Sequence, residues 1–585
     1  MASFLFKTLI LLSAILFTSS SSSSSLSSSS LNINAAQVES IRSVCKSTPY
    51  PDVCYNSMKL SISINLNLTT LIDFALQSLN IAAKEAGKLT DLILEAGNSQ
   101  QIVEKQRGAI QDCKELHQIS VSTIQKCMSR IHQTTVVSHM VSDAKAYLSA
   151  ALTNKNTCLE GLESATGPLK PVLVNGLVST YNLVSNSLSI VSKMQEGGQT
   201  HQEEKSNGGR RLMGFPVWMK RRDRRLLELG VGEKNEYATG DELTVAADGT
   251  GNFKTITEAI NFAPNNSYDV RTIIYVREGV YQENVEIPSY KPNIVLLGDG
   301  ADVTMVTGNR SVGDGWTTFR SATLAVSGDG FMARDITFEN TAGPEKHQAV
   351  ALRVNADLTA VYRCVINGYQ DTLYVHSFRQ FYRECDISGT VDFIFGNAAV
   401  VFQASTIIAR LPLPGQFNAI TAQSRDNSEE NTGISIQNCS IVASDDLYNN
   451  NNSTTSNTIK SYLGRPWRIY SRTVYLESYI DDFIDPAGWI EWSGELGLDT
   501  LYYGEYDNSG PGSGVENRVT WPGYHVMDYD EASNFIVSQL ITGDEWLDST
   551  SVPYDNGVWH MYVYYGRENA TRSCVVACTC RSDTA

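Results

Sequence analysis

Beyond its N-terminal stretch the sequence has no apolar run approaching the roughly eighteen residues that a membrane-crossing helix requires. Positive charge is scarce in the C-terminal part: residues 1–227 carry 23 Lys+Arg against 16 Asp+Glu, whereas residues 228–585 carry 23 against 47. So acidic a segment is a poor partner for nucleic acid or an anionic membrane. An acidic polysaccharide whose charges are masked is compatible with it. Metal chemistry lacks its usual signatures as well. The N-terminal part has no His/Glu metal spacing, no dense Asp cluster offers a Ca²⁺ cage, and Cys574, Cys578 and Cys580 lack the paired spacing of a zinc site. No metal and no cofactor are expected.

What is present reads as two domains, since 585 residues are enough to bury more than one core. Residues 1–30 combine Lys7, an apolar run from Leu9 to Phe17 and a Ser tract, which predicts a secretory signal peptide and an extracellular or cell-wall destination. Sequons at Asn67, Asn265, Asn309, Asn438, Asn451, Asn452 and Asn569 fit that route. Cys45 and Cys54 are close enough to staple a hairpin and Cys113 and Cys158 to tie two helices, with buried free thiols as the alternative. Over 35–194 apolar residues recur at helical spacing, as in Leu71, Ala75, Leu79, Ala82 and Ala86, and predict an all-α four-helix bundle. Residues 195–229 form a Gly-rich basic linker in which Arg210, Arg211, Arg224 and Arg225 are expected processing sites for a protease.

From Leu243 to Gly557 short apolar strands alternate with Gly, Asn and Asp turns. The segments RDITFEN, RCVINGY, ECDISGT, ASTIIAR and NCSIVAS stack into an imperfect repeat, with Ile336, Ile366, Ile387, Ile407 and Ile441 in one column. Coils of uneven length, each adding a strand to the last, predict an all-β parallel β-helix. Neighbouring rungs lie about 4.8 Å apart, so Cys364 and Cys385 are expected to bridge, leaving Cys439 opposite Ser405 without a partner. The final 558–585 read as an atypical tail with no assigned function.

One carboxylate interrupts this pattern without an obvious packing reason. Asp392 sits within GTVDFIFGN among Val, Phe and Ile, where a lone charge needs a partner or a task. Asp371 in GYQDTLY lies 21 residues earlier, about one coil. Gln370 stands beside it, Gln348 comes one coil earlier again, and LGRPW supplies Arg465 and Trp467. Two acids, two amide donors, a fixed cation and an aromatic plate form a hydrolytic set.

Five segments, GVYQE, QAVAL, QDTL, DFIFG and LGRPW, match in order the motifs of the pectin methylesterase (pectinesterase) family, which 243–557 resembles. The helical part resembles, more loosely, the pectin methylesterase inhibitor family, as a pro-region. The resemblance implies a right-handed parallel β-helix and hydrolysis of the C6 methyl esters of homogalacturonan to pectate and methanol. Carried over by position, the nucleophile falls on Asp392, the acid/base on Asp371, the oxyanion-stabilising amides on Gln348 and Gln370 and the positioning cation on Arg465. Trp467, Phe395 and Thr318 fall on substrate contacts. The implied partners are methylesterified homogalacturonan, inhibitor proteins of that family and a processing protease, acting on a monomer. Two other readings compete: a β-helical pectin depolymerase, and a catalytically silent wall-binding or inhibitor protein.

Overall fold

The computed structural model describes residues 35–62, 70–98, 101–132, 138–196, 243–452 and 458–558. The expected signal peptide, the linker arginines Arg210, Arg211, Arg224 and Arg225, and the tail beyond Val558 lie outside them. Helices α1 (Ala35–Cys45) and α2 (Pro51–Ile62) form a hairpin closed by the Cys45–Cys54 disulfide. Four longer helices follow: α3 (Leu71–Asn98), α4 (Ala109–Ile131), α5 (Ser138–Glu163) and α6 (Lys170–Glu196). In α3 the buried positions Ala75, Leu79, Ala82, Ala86, Leu89 and Ile93 keep one stripe inward, as the periodicity predicts. Cys113–Cys158 ties α4 to α5. Helix α5 buries polar Asp143, Thr153, Asn154 and Thr157 as well as its apolar residues, because it is covered on both sides.

The rest of the described chain winds into a parallel β-helix with sheets of eleven, seven and eight strands. Residue for residue, Phe338, Ile366, Ile387, Ile407, Ile441 and Ile480 stack inside the eight-stranded sheet. The sequence-based column is therefore two residues out at its first rung, where Phe338 and not Ile336 faces Ile366. Both side chains are fully buried, and a slip of two keeps the same face inward, so alternation alone does not resolve it. At the corner into this sheet Asp335, Arg363, Glu384, Ala404, Asn438 and Glu477 all have φ between 47° and 60°, in the left-handed region. That conformation costs about 1 kcal/mol per non-glycine residue, and each coil repeats it. The corner amides offset it by joining the ladder: Arg363 N–H donates to Arg383 O and Glu384 N–H to Gln403 O.

The expected Cys364–Cys385 bridge is not formed; both are buried free thiols, as are Cys127 and Cys439. Equivalent positions on stacked parallel strands project in the same direction, whereas a disulfide needs the two Cβ atoms turned toward each other. Each thiol instead donates to the carbonyl two residues back, Cys364 to Tyr362, Cys385 to Arg383 and Cys439 to Gln437. Ser405 and Ser478 hydroxyls do the same to Gln403 and Leu476, so Ser405 interrupts no pairing. Burial pushes the Cys364 and Cys439 thiols up to about 12, far from the reactive thiolate. Alkylation in denaturant without reductant, followed by peptide mapping, should label Cys127, Cys364, Cys385 and Cys439 and spare the paired Cys45, Cys54, Cys113 and Cys158. A cross-linked Cys364–Cys385 peptide would contradict this.

Candidate active site

The outward face of the seven-stranded sheet is the floor on which the site is built. Its column runs Glu286, Ala325, Arg353, Tyr374, Phe395, Ala422 through successive registered strands. Asp371 and Asp392 stand two residues before the paired Leu373 and Ile394, one on each of two neighbouring coils. Both have positive φ, 63° and 53°. A kinked backbone at Asp392 explains why its strand reads ambiguously: Phe393 and Ile394 both enter the interior core in succession, while the register against the next strand slips between Val391 and Ile394. The same left-handed φ recurs at other turns of the coil, so it belongs to the winding of the β-helix, and the two stacked carboxylates are set apart by their chemistry.

Arg465 follows the strand Ser461–Gly464 and its amide donates to Thr421 O at 3.0 Å. Its Nε donates to Asp392 Oδ1 at 2.7 Å and its Nη2 to Oδ2 at 2.6 Å, a two-point fork. Trp492 backs the guanidinium at 4.2 Å and Phe417 at 5.3 Å. Trp467 packs near Trp492 and Phe395, and Phe395 stacks on Tyr374 with centroids 4.2 Å apart. Gln348 and Gln370 are half-buried, and their carboxamides have no hydrogen-bond partner among the described residues. Asp371, Asp392, Gln348, Gln370, Arg465, Trp467, Phe395 and Thr318 thus all line one cavity of about 580 Å³. Burial raises both carboxyls. For Asp371 the charge of Asp392 adds to it and lifts the group well above the ordinary range, whereas the Arg465 fork pulls Asp392 back. The pair is therefore split, with Asp392 the stronger acid.

Sequence reasoning missed Trp492, Tyr374 and Arg468, which share the cavity. Arg468 follows directly on LGRPW, whereas Tyr374 stands three residues from Asp371 and alternation misplaces it, because the left-handed backbone at Asp371 breaks the period of two. Trp492 arrives from a loop 27 residues after Arg465 with no pattern to announce it.

The pectinesterase family profile matches residues 242–544, and the plant invertase/pectin methylesterase inhibitor profile matches residues 39–190. The chain is 62% identical over 526 residues to the probable pectinesterase/pectinesterase inhibitor 12 of Arabidopsis thaliana, covering 89% of this chain and 94% of the relative. It belongs to the pectinesterase family. With that it is a carboxylic ester hydrolase. A pectinesterase/pectinesterase inhibitor of Prunus persica is 45% identical over 497 residues, covering 82% of this chain and 91% of that one. The solved pectin methylesterase from carrot aligns with a TM-score of 0.53 at 51% identity, covering 55% of this chain and all of its own.

The inhibitor-like helices lie across the pectinesterase cleft. Thr157, Glu160, Gly161 and Glu163 of α5 line the same cavity as Asp392. Thr157 Oγ1 lies 2.9 Å from His376 Nε2, Asn397 donates to Thr153 Oγ1 at 2.8 Å and Asn355 to Asn154 Oδ1 at 3.2 Å. Carboxylates of the bundle meet arginines of the β-helix: Asp112 and Glu115 with Arg320, Asp143 with Arg379, Glu160 with Arg468. Net charge, nearly balanced over 35–200, gave no reason to expect this docking; the attraction comes from local placement and runs opposite to the overall acidity of the β-helix.

Burial pushes Asp112 up to about 6 against the pull of Arg320 and Thr317, and raises Glu160 against Arg468. Exposed in water both groups titrate near 4. Between about pH 4 and 6 Asp112 therefore holds more proton docked than undocked, so its contribution to docking is lost as pH rises through that window. After cleavage of the linker, the two halves should separate at lower salt at pH 7 than at pH 5 on size exclusion, and Asp112→Asn should flatten the difference. Tighter association at pH 7 would contradict the assignment.

Proposed function

We propose that the β-helix demethylates homogalacturonan through Asp392 as nucleophile and Asp371 as acid and then base, and that the docked helices restrain it. The Arg465 fork on Asp392 beside an unforked Asp371 carries this reading, because it separates two equal carboxyls into an ionised and a protonated one. In the first step an Asp392 oxygen bonds to the C6 carbonyl carbon. Gln348 and Gln370, whose side-chain N–H groups are unengaged among the described residues, donate to the oxyanion, each such donor being worth about 3 kcal/mol. Collapse breaks the bond to the methoxy oxygen, which takes the Asp371 proton and leaves as methanol. Asp371, now a carboxylate, takes a proton from water. The hydroxide opens the acyl-enzyme, freeing pectate and restoring Asp392 as carboxylate and Asp371 as acid.

Trp467 and Phe395 supply apolar faces for sugar rings, and Thr318 lines the same cavity. The helices occupy the space a polymer needs, which supports the pro-region reading and makes the uncut chain catalytically silent. Release then calls for cleavage in the linker at Arg210–Arg211 or Arg224–Arg225. A depolymerase is disfavoured by two free amide donors beside the acids.

Asp392→Asn, assayed on highly esterified pectin after linker cleavage, should lose methanol release by at least a thousandfold while its thermal unfolding stays cooperative. Near-normal turnover would sink the mechanism. Arg465→Gln removes the group that holds Asp392 ionised. In the residual activity of that variant the acid limb of the pH–rate profile should move to higher pH; a limb that stays put or moves down would show that Arg465 does not set the ionisation of Asp392.

A further inference from the structure

Arg465 depends on a rung that the regular winding does not supply. Its strand, Ser461–Gly464, is the last of the seven-stranded sheet. A loop then covers that edge, joined to it by two isolated bridges, Ser461 to Ile484 and Gly464 to Trp489. Three backbone bonds hold the two together: Asp485 N–H donates to Ser461 O at 2.8 Å, Leu463 N–H to Gly488 O at 2.7 Å and Ile490 N–H to Gly464 O at 3.2 Å. From the same loop Trp492 enters the cleft and backs the Arg465 guanidinium at 4.2 Å. The loop therefore bears on Arg465 twice, through the backbone of Gly464 and through a ring.

So irregular a rung needs side chains to fix it, and they come from inside the β-helix. Trp489 is 1% exposed and stacks on Tyr503 with centroids 4.1 Å apart. Its Nε1 donates to Glu505 Oε1 at 3.2 Å. Arg518 pairs with that carboxylate, Nε to Oε1 at 2.9 Å and Nη2 to Oε2 at 3.1 Å, and its Nη1 returns to the loop to donate to Pro486 O at 3.1 Å. Its Cδ also packs so closely on Gly488, at φ 71°, that a β-carbon there would collide with it. Neither Glu505 nor Arg518 lines the cavity of the acids. A buried ion pair adds little stability that packed apolar residues would not match. Apolar residues would not supply the bonds to Trp489 and Pro486, which fix the loop on either side of Gly488.

We propose that Trp489, anchored by the Glu505–Arg518 pair, is a positioning residue that sets where Trp492 and the Gly464–Arg465 backbone stand, and through them the two-point fork on Asp392. This rests on the esterase reading and extends it to side chains behind the cleft wall. The charged and titratable groups around Asp392 are Asp371, Arg465 and, from the interior, the Tyr503 phenol on which Trp489 stacks. A fork at 2.7 and 2.6 Å weakens as soon as one arm lengthens. Freeing the loop therefore leaves Asp392 less ionised at a given pH while the surface that meets the sugar is kept.

Trp489→Phe keeps a ring on Tyr503 and removes the N–H to Glu505. Assayed on highly esterified pectin after linker cleavage, its kcat should fall about tenfold to a hundredfold, the cost of a misplacement on the order of 1 Å, with KM nearly unchanged. The acid limb of its pH–rate profile should move to higher pH, less far than in Arg465→Gln. Added to Arg465→Gln, the same substitution should move the limb no further, since both act through one interaction. Tyr524→Phe removes another bond to the same Glu505 oxygen from a strand outside the loop, and should leave the limb in place. A Trp489→Phe limb at the native pH, a further shift in the Arg465→Gln background, or an equal shift in Tyr524→Phe would overturn the proposal. Absence of methanol from the native protein would instead remove the esterase reading. Should Trp489→Phe fail to fold, Arg518→Lys, which keeps the charge and loses the fork on Glu505, should raise the same limb, and an unmoved limb there would overturn the proposal.

Discussion

Asp392 lies within a strand whose other side chains are buried, and is itself 5% exposed. An ionised carboxyl there is tolerable only because Arg465 meets both oxygens, and removing one partner of such a pair typically costs about 3–5 kcal/mol. Arg465 is in turn held between Trp492 and Phe417, and its backbone is tied to Thr421. One interaction thus serves two ends. It makes the local packing possible, and it separates Asp392 from Asp371, which shares the burial without the fork.

The coil stack is what makes that pairing reproducible. Registered parallel strands carry Asp371 and Asp392 to equivalent places on successive rungs, and the left-handed backbone at both turns the carboxyls to the cleft while Thr372 and Phe393 go inward. The same geometry that places the acids forbids the Cys364–Cys385 bridge, since stacked side chains run parallel and do not converge. Thiols and hydroxyls are interchangeable in that column because each needs only a carbonyl two residues behind it.

Much of this was legible in the residues. Helical periodicity identified the bundle, and the motifs around Asp371, Asp392 and Arg465 named side chains that the fold gathers into one cavity. The failures have physical causes. Phe338 was misplaced because a slip of two residues conserves the buried face. Trp492 was invisible because a loop delivers it. The docking of α4 and α5 escaped notice because net charge averages away what matters, four acids set opposite four arginines.

The central proposal is that Asp392 and Asp371 are a catalytic pair which the inhibitor-like helices, lining the same cavity, close to the polymer. Methanol release from highly esterified pectin, measured on the full chain before and after cleavage between residues 197 and 242, addresses that directly. The account predicts negligible release from the intact chain and a rise of at least a hundredfold once the cut halves are separated. Equal release from intact and cut protein would contradict it.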